Sequence, residues 1–140
     1  MEPTATEPTL REKACAVIDA APDCALALIE PDGFPANSVI TMAQRDGLKW
    51  VTFCTGLSAR RTARIRHSDR ASACFCDGAN NVTLTGTIEI LTDPEIKKAN
   101  WYAGLENHFS GPDDPNYCVL KLTTSRVSLF VDWQEEYGSL

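Results

Sequence analysis

Apolar and polar residues alternate most clearly between residues 81 and 90. One side of this segment would carry Val82, Leu84, Gly86, Ile88 and Ile90, and the opposite side Asn81, Thr83, Thr85, Thr87 and Glu89. A period of two is typical of a strand that buries one face and exposes the other. The pattern therefore predicts a long, half-buried strand.

Shorter apolar segments, separated by turn residues, predict six more strands. They span residues 24–30, 37–44, 48–55, 71–77, 117–123 and 126–133. The Pro-Asp-Gly-Phe-Pro segment at 31–35 and the Asp46-Gly47 pair have the composition of turns, so they predict hairpins between the first three strands.

Three segments have helical patterns. Thr9 and Glu12 form a capping box, and a helical apolar face then runs to Pro22. A second helix is predicted over residues 58–67. Asp93 and Pro94 are a strong helix start, and that helix is expected to run to about residue 103, before a loop over residues 104–116.

Strands dominate this order of elements, and hairpins join most of them. We therefore predict a mainly β fold in which an antiparallel sheet closes into a small barrel with peripheral helices, because closure removes exposed edges. No glycine-rich Gly-x-Gly-x-x-Gly loop follows a strand, which argues against a Rossmann domain. The length predicts one domain over residues 1–140, and we expect residues 1–8 to be flexible.

Charge and cysteine content narrow the class of protein. The net charge is −6 and the isoelectric point is about 4.8, which disfavours binding to nucleic acid and to anionic membranes. The polar, acidic N-terminal segment and the absence of a long apolar run predict a soluble, cytoplasmic protein. The six cysteines lack a disulfide framework and are expected to be reduced core residues, and neither Cys74 and Cys76 nor the two histidines have the spacing of a metal site.

Basic residues are concentrated in one short segment despite the acidic character of the chain. Five of the thirteen lie between positions 60 and 70. Arg60 and Arg61 fall in the first turn of a predicted helix, where the positive end of the helix dipole repels them. One alternative is a solvated face paired with carboxylates, and another is an arginine helix that binds nucleic acid. Asp69 is the only carboxylate between Gly47 and Arg70, which favours an external anion.

A phosphate group would satisfy this segment. The unpaired N–H groups of the helix start, the hydroxyls of Thr55 and Ser58, and the guanidinium groups of Arg60 and Arg61 could all bind one phosphate. The segment is therefore predicted to be a phosphate cradle.

Several residues in the same order resemble one known family. They are Trp50, Thr55, Arg60-Arg61, Ile65 and Arg70-Ala71-Ser72, followed by the 84–90 segment, Asp93-Pro94, Trp101 and Asp113-Asp114-Pro115. This set is similar to the pyridoxamine 5'-phosphate oxidase-like FMN-binding split-barrel family, and most of all to its short general stress protein members. The resemblance covers roughly residues 10–130.

The resemblance implies a six-stranded antiparallel split barrel and a homodimer with FMN at the subunit interface. Arg60 and Arg61 match the pair that holds the FMN phosphate, and Cys54 and Thr55 match strand-end positions beside it. Asn81 matches a polar flavin contact. The strand that borders the flavin ring would be formed by Ser38, Val39, Ile40 and Thr41, although the basic residues of the oxidases are missing there.

These expectations favour a flavin-dependent oxidoreductase that acts with a small-molecule substrate or reductant, with no catalytic residue assigned to the protein itself. The acidic C-terminal segment disfavours a second phosphate, so we expect no pyridoxamine phosphate oxidase activity. The alternatives are a flavin-binding or redox-sensing stress protein without turnover, and a split barrel that binds a deazaflavin or haem. Trp133 and Tyr137 are expected to be core and dimer contacts, and the alternative is that they cover the flavin from a neighbouring subunit.

Overall fold

The computed structural model describes residues 6–140. Three α-helices lie within this range, together with a 3-10 turn at Leu105–Asn107: α1 (Leu10–Ala20), α2 (Arg60–His67) and α3 (Pro94–Asn100). The strands are β1 (Asp23–Ile29), β2 (Pro35–Asp46), β3 (Trp50–Gly56), β4 (Arg70–Asp77), β5 (Asn80–Leu91), β6 (Tyr117–Val131) and β7 (Gln134–Ser139).

The strands form one antiparallel sheet that closes on itself. Their order is β3-β2-β1-β4-β5-β6-β7, and β3 also pairs with β6, from Trp50 opposite Thr123 to Gly56 opposite Tyr117. Six strands therefore close a barrel, and β7 continues the sheet beyond β6. The predicted fold class, a mainly β antiparallel barrel with peripheral helices, is confirmed.

Side chains that point inward fill the barrel. They include Leu26, Phe53, Phe75, Leu84 and Leu120, all without solvent exposure. Helix α1 covers this core with Ala14, Val17 and Ile18 on its apolar face, as its sequence pattern predicts. Burying this face provides most of the helix's stability, because an isolated helix of eleven residues is marginal in water.

Strand β5 follows the predicted alternation, with Val82, Leu84 and Ile88 buried. Its partner β6 differs from prediction, since the two closing strands predicted at 117–123 and 126–133 are one continuous strand. The pairing register shifts where Gly86 lies opposite Thr124, so that Ser125 is an extra residue. A Cβ atom at Gly86 would lie 1.9 Å from the Thr123 carbonyl oxygen, so only glycine fits at this bulge.

Helix α3 and the C-terminal hairpin also differ from the prediction. Helix α3 ends at Asn100, because Trp101 leaves the helix in an extended conformation and packs its ring against Tyr117 at 5.3 Å. Strand β7 was not predicted, because most of its residues are polar. The turn before it, Asp132-Trp133, has positive φ at both residues but lacks the glycine that usually marks such a turn in a sequence.

Some expectations about burial also need correction. Trp133 and Tyr137 are 83% and 73% exposed, so they are not core residues of this chain. Among the cysteines, Cys24, Cys54 and Cys118 are buried, but Cys76 is exposed. Residues 1–5 of the predicted flexible segment lie outside the described residues, and no helix within residues 6–140 is both long and apolar enough to cross a membrane.

Candidate anion-binding site

Helix α2 begins without a side-chain cap. Its N-cap residue is Ala59, which has no acceptor to offer, and the first helical hydrogen bond runs from the Ala63 N–H to the Ala59 carbonyl. Within residues 6–140, the backbone N–H groups of Arg60, Arg61 and Thr62 have no acceptor. Three donors therefore point out of the positive end of the helix, which is the arrangement that binds anions.

Arg61 lies beside these donors and reaches strand β2. Its Nε donates to Ser38 Oγ at 3.0 Å, and one terminal nitrogen donates to the Val39 carbonyl oxygen at 2.7 Å. Within the described part of the chain, β2 pairs with β3 only from Met42 onward, so the Val39 carbonyl belongs to an open strand edge. The structure thus brings three of the predicted site residues into direct contact.

The acceptors of Arg61 are neutral, and no carboxylate of residues 6–140 forms an ion pair with it. Desolvation of this half-buried guanidinium, and the nearby charge of Arg64, lower the pKa of Arg61. A buried cation without a counter-charge is unfavourable, and an anion would relieve this cost.

The other arginines of the cluster divide into paired and unpaired ones. Arg64 forms an ion pair with Glu30 at 2.7 Å, so the alternative of a paired, solvated face holds for this residue. Arg60 makes no side-chain hydrogen bond or ion pair with residues 6–140. It lines a small cleft of about 170 Å³ together with Glu30, Pro31, Ala63 and Arg64.

The residues predicted at the end of β3 have different environments. Thr55 is buried, whereas Ser58 is exposed in the turn before α2. The Cys54 side chain points away from the turn, into a small apolar cluster where its sulfur lies 3.5 Å from the Tyr117 hydroxyl. Burial raises the pKa of the Cys54 thiol.

The remaining predicted residues lie farther from α2. Ile40 is part of the barrel core, and the Thr41 hydroxyl donates to the Asp23 carboxylate. Asn81 is on β5, and strands β1 and β4 separate β5 from β2. At the usual spacing of strands, this places Asn81 about 14 Å along the sheet from the open edge of β2. Within residues 6–140, no hydrogen bond joins Asn81 to Arg61.

One residue near this site has no sequence motif. Asn116 accepts a hydrogen bond from the Ser58 N–H at 3.0 Å, although it belongs to a loop fifty-eight positions away. Only the fold brings it to the turn before α2.

A larger cavity than the cleft beside Arg60 lies elsewhere in residues 6–140. It has a volume of about 560 Å³ and lies on the outer face of β1, β4, β5 and β6, where Arg70 and Arg126 are among its lining residues. The α2 site is the better candidate for an anion, because its backbone donors have no acceptors within residues 6–140 and its cation is partly buried. In one chain that site is an open surface.

The site lies on a closed six-stranded antiparallel barrel. Within residues 6–140 the start of α2 has no side-chain cap and Arg61 has no ion-pair partner, so the structure defines a barrel protein with a candidate anion-binding site. A sequence profile described as Pyridoxamine 5'-phosphate oxidase matches residues 10–130, and the chain therefore belongs to this family. No curated protein matches the chain.

Solved structures share the fold. A Clostridium acetobutylicum protein related to general stress protein 26 of B. subtilis has a TM-score of 0.83 and 23% identity, with 94% of each chain covered. A heme binding protein from Mycobacterium smegmatis has a TM-score of 0.78 and 19% identity, covering 96% of this chain and 60% of that one. A pyridoxamine 5'-phosphate oxidase-related, FMN binding protein from Nostoc punctiforme has a TM-score of 0.65 and 15% identity, over 96% of this chain and 98% of the other.

Proposed function

We propose that the protein binds FMN and that the phosphate of FMN occupies the site at the start of α2. The observation that carries this proposal is Arg61, a half-buried cation that has two neutral acceptors and, within residues 6–140, no ion-pair partner. FMN is the favoured ligand because it brings a phosphate on a flexible chain, and because one solved neighbour of the same fold is an FMN binding protein.

The residues at the site fit a phosphate. The N–H groups of Arg60, Arg61 and Thr62 would donate to its oxygens. The Ser58 hydroxyl and the Arg61 guanidinium, which belong to residues three positions apart in sequence, would be further donors. Ser38 and Val39 would hold Arg61 in place while its remaining N–H groups face the ligand. Bound FMN would supply the redox chemistry, and this chain would orient it and exclude water.

A homodimer would complete the site. The outer face of the barrel carries small side chains on neighbouring strands, where Val39, Ala25, Cys74 and Thr83 follow one another across the sheet. Val39 is 70% exposed at one rim, and Tyr137 is similarly exposed at the other. A second copy packed here would cover both rims and could bring its own Asn81 to the flavin.

Within this proposal the protein is a flavin-dependent oxidoreductase with a small-molecule substrate, and not a pyridoxamine phosphate oxidase. Strand β7 carries Glu135 and Glu136 instead of basic residues, and Glu136 is paired with Arg11, which disfavours a second phosphate on this strand. A reducing, cytoplasmic location is part of the proposal, because all six cysteines are unpaired.

The direct test is the visible spectrum and FMN affinity of the purified protein. We expect a yellow protein, and the double variant Arg60→Ala/Arg61→Ala should bind FMN about 100-fold or more weakly, because charged hydrogen bonds contribute about 1.5 to 3 kcal/mol each. Arg66→Ala is the matched control, since Arg66 is an exposed arginine of the same helix. Unchanged affinity in the double variant, with an unchanged melting temperature, would refute the site.

The alternatives give different results in the same preparation. A haem protein would show an intense absorption band near the violet end of the spectrum, and a deazaflavin protein would fluoresce without the flavin bands. If FMN is bound, reduction by NADH or NADPH followed by reoxidation with a panel of acceptors separates an oxidoreductase from a flavin-binding sensor. Pyridoxamine phosphate should not be turned over.

A further inference from the structure

The turn that leads into α2 is held by a distant loop. The Leu57 N–H donates to the Asn116 carbonyl oxygen at 2.7 Å, and the Ser58 N–H donates to Asn116 Oδ1 at 3.0 Å. These two bonds fix the backbone immediately before the three free N–H groups of the helix. The direction in which those groups point therefore depends on Asn116.

Asn116 is itself held in one orientation. Its N–H donates to Asp114 Oδ1 at 2.8 Å, and the other carboxylate oxygen accepts from the Ser110 N–H at 2.9 Å. Lys97, whose side chain is largely buried, donates to the Asp114 carbonyl oxygen at 2.9 Å. The Asp-Asp-Pro segment noted in the sequence is thus a brace for Asn116.

The amide group of Asn116 also lies against the end of β3. A Cβ atom at Gly56 would be 2.8 Å from Asn116 Nδ2, so glycine leaves the space that the amide occupies. Within residues 6–140, Asn116 Nδ2 has no hydrogen-bond acceptor. One side of the amide fixes the turn, and the other side remains a free donor beside the proposed phosphate site.

We infer that Asn116 is a positioning residue for phosphate recognition: it sets the turn before α2 so that the free N–H groups and Arg61 face the same anion. This inference rests on the proposed function. It names Asn116 as a determinant of selectivity for the phosphate of FMN, while the flavin ring is recognised independently of it.

The test compares FMN with riboflavin, which has the same ring and no phosphate. In Asn116→Ala we expect FMN to bind about tenfold more weakly and riboflavin to bind within about twofold of wild type, because only the phosphate uses the turn. Asn107→Ala is the matched control, since Asn107 is an exposed asparagine at the end of the 3-10 turn and makes no side-chain hydrogen bond within residues 6–140. Equal weakening of both ligands would show a general structural role and would overturn the inference.

Two further measurements make the test sharper. Asn116→Asp keeps the acceptor for the Ser58 N–H but adds a negative charge, so FMN affinity should fall while the melting temperature stays constant, and added salt should recover part of the loss. In ligand-free protein, hydrogen exchange of residues 56–62 should accelerate in Asn116→Ala. Unchanged exchange would overturn the inference, whereas wild-type protein that binds no FMN would overturn the proposed function as well.

Discussion

The Arg61 guanidinium donates to the Val39 carbonyl oxygen at 2.7 Å, across the gap where β2 has left β3. A charged side chain thus takes the place of a neighbouring strand at an open sheet edge. Because the guanidinium is planar, it can hold this carbonyl and Ser38 with some of its N–H groups and present the others to an anion.

This geometry predicts that charge alone is not enough at position 61. Arg61→Lys should keep the positive charge but lose the paired contacts with Ser38 and Val39, and FMN affinity should fall about tenfold. Arg66→Lys on the same helix should have no effect. Fluorescence titration measures the FMN affinity of both variants. An Arg61→Lys variant with the affinity of the wild type would show that Arg61 acts only as a point charge.

The proposed dimer face makes a separate prediction. Thr83→Arg places a long charged side chain in the middle of the small-residue face, so it should give a monomer in light-scattering measurements and weaken FMN binding. Thr92→Arg, in an exposed loop, is the control. A dimer that survives Thr83→Arg would place the interface on another surface.

Gly86→Ala tests the bulge between β5 and β6. The added Cβ atom would meet backbone of Thr123, which cannot move without opening the barrel, so the free energy of unfolding should fall by about 3 kcal/mol or more. Gly111→Ala has open space around its Cβ position and should change stability little. Urea denaturation measures the free energy of unfolding of both variants, and similar free energies would mean that the bulge rearranges easily.

Trp133 has φ of 64°, in the left-handed region that a bulky side chain rarely adopts. Trp133→Gly should therefore raise the free energy of unfolding by roughly 0.5 to 1 kcal/mol, after allowing for the contact of its ring with Phe130. Ser139→Gly in the extended part of the same hairpin should lower it. Denaturation at one fixed protein concentration provides the comparison, and a loss of stability in Trp133→Gly would show that the ring contact outweighs the strain.

Asp114 gives a pH dependence of known sign. Hydrogen bonds from the Ser110 and Asn116 N–H groups hold the pKa of this carboxyl below its ordinary value of 3.8. Because the folded-state pKa is the lower one, its stabilising effect is fully present above pH 3.8 and is lost as the pH falls through the folded value. An NMR titration of the Asp114 carboxyl carbon should have its midpoint below 3.8, and a midpoint at or above that value would contradict the brace.

The barrel and its helices could be predicted from the sequence because each element has a local pattern. The alternation in β5, the capping box of α1 and the Asp93-Pro94 start of α3 all depend on residues close in the chain. Strand β7 could not be predicted from its own polar residues. It forms because it pairs with β6 and because Glu136 pairs with Arg11, a residue 125 positions away.

The candidate site was predictable only in part, for the same reason. An anion site at Arg60 and Arg61 follows from charge at a helix start, which is a local feature. The Val39 carbonyl became an acceptor because β2 and β3 separate, and Asn116 reached the turn because a remote loop folds back. Backbone groups carry no residue-specific signal, so contacts of this kind cannot be read from residue types.

Strand β6 is the last strand of the closed barrel along the chain, and it pairs with β3, β5 and β7. During synthesis, the edges of β3 and β5 that face β6 have no partner until β6 has left the ribosome. Open edges of this kind recruit strands from other molecules. Nascent chains stalled before Val131 should therefore be the aggregation-prone species of this protein, and a chaperone that covers strand edges would act at that stage.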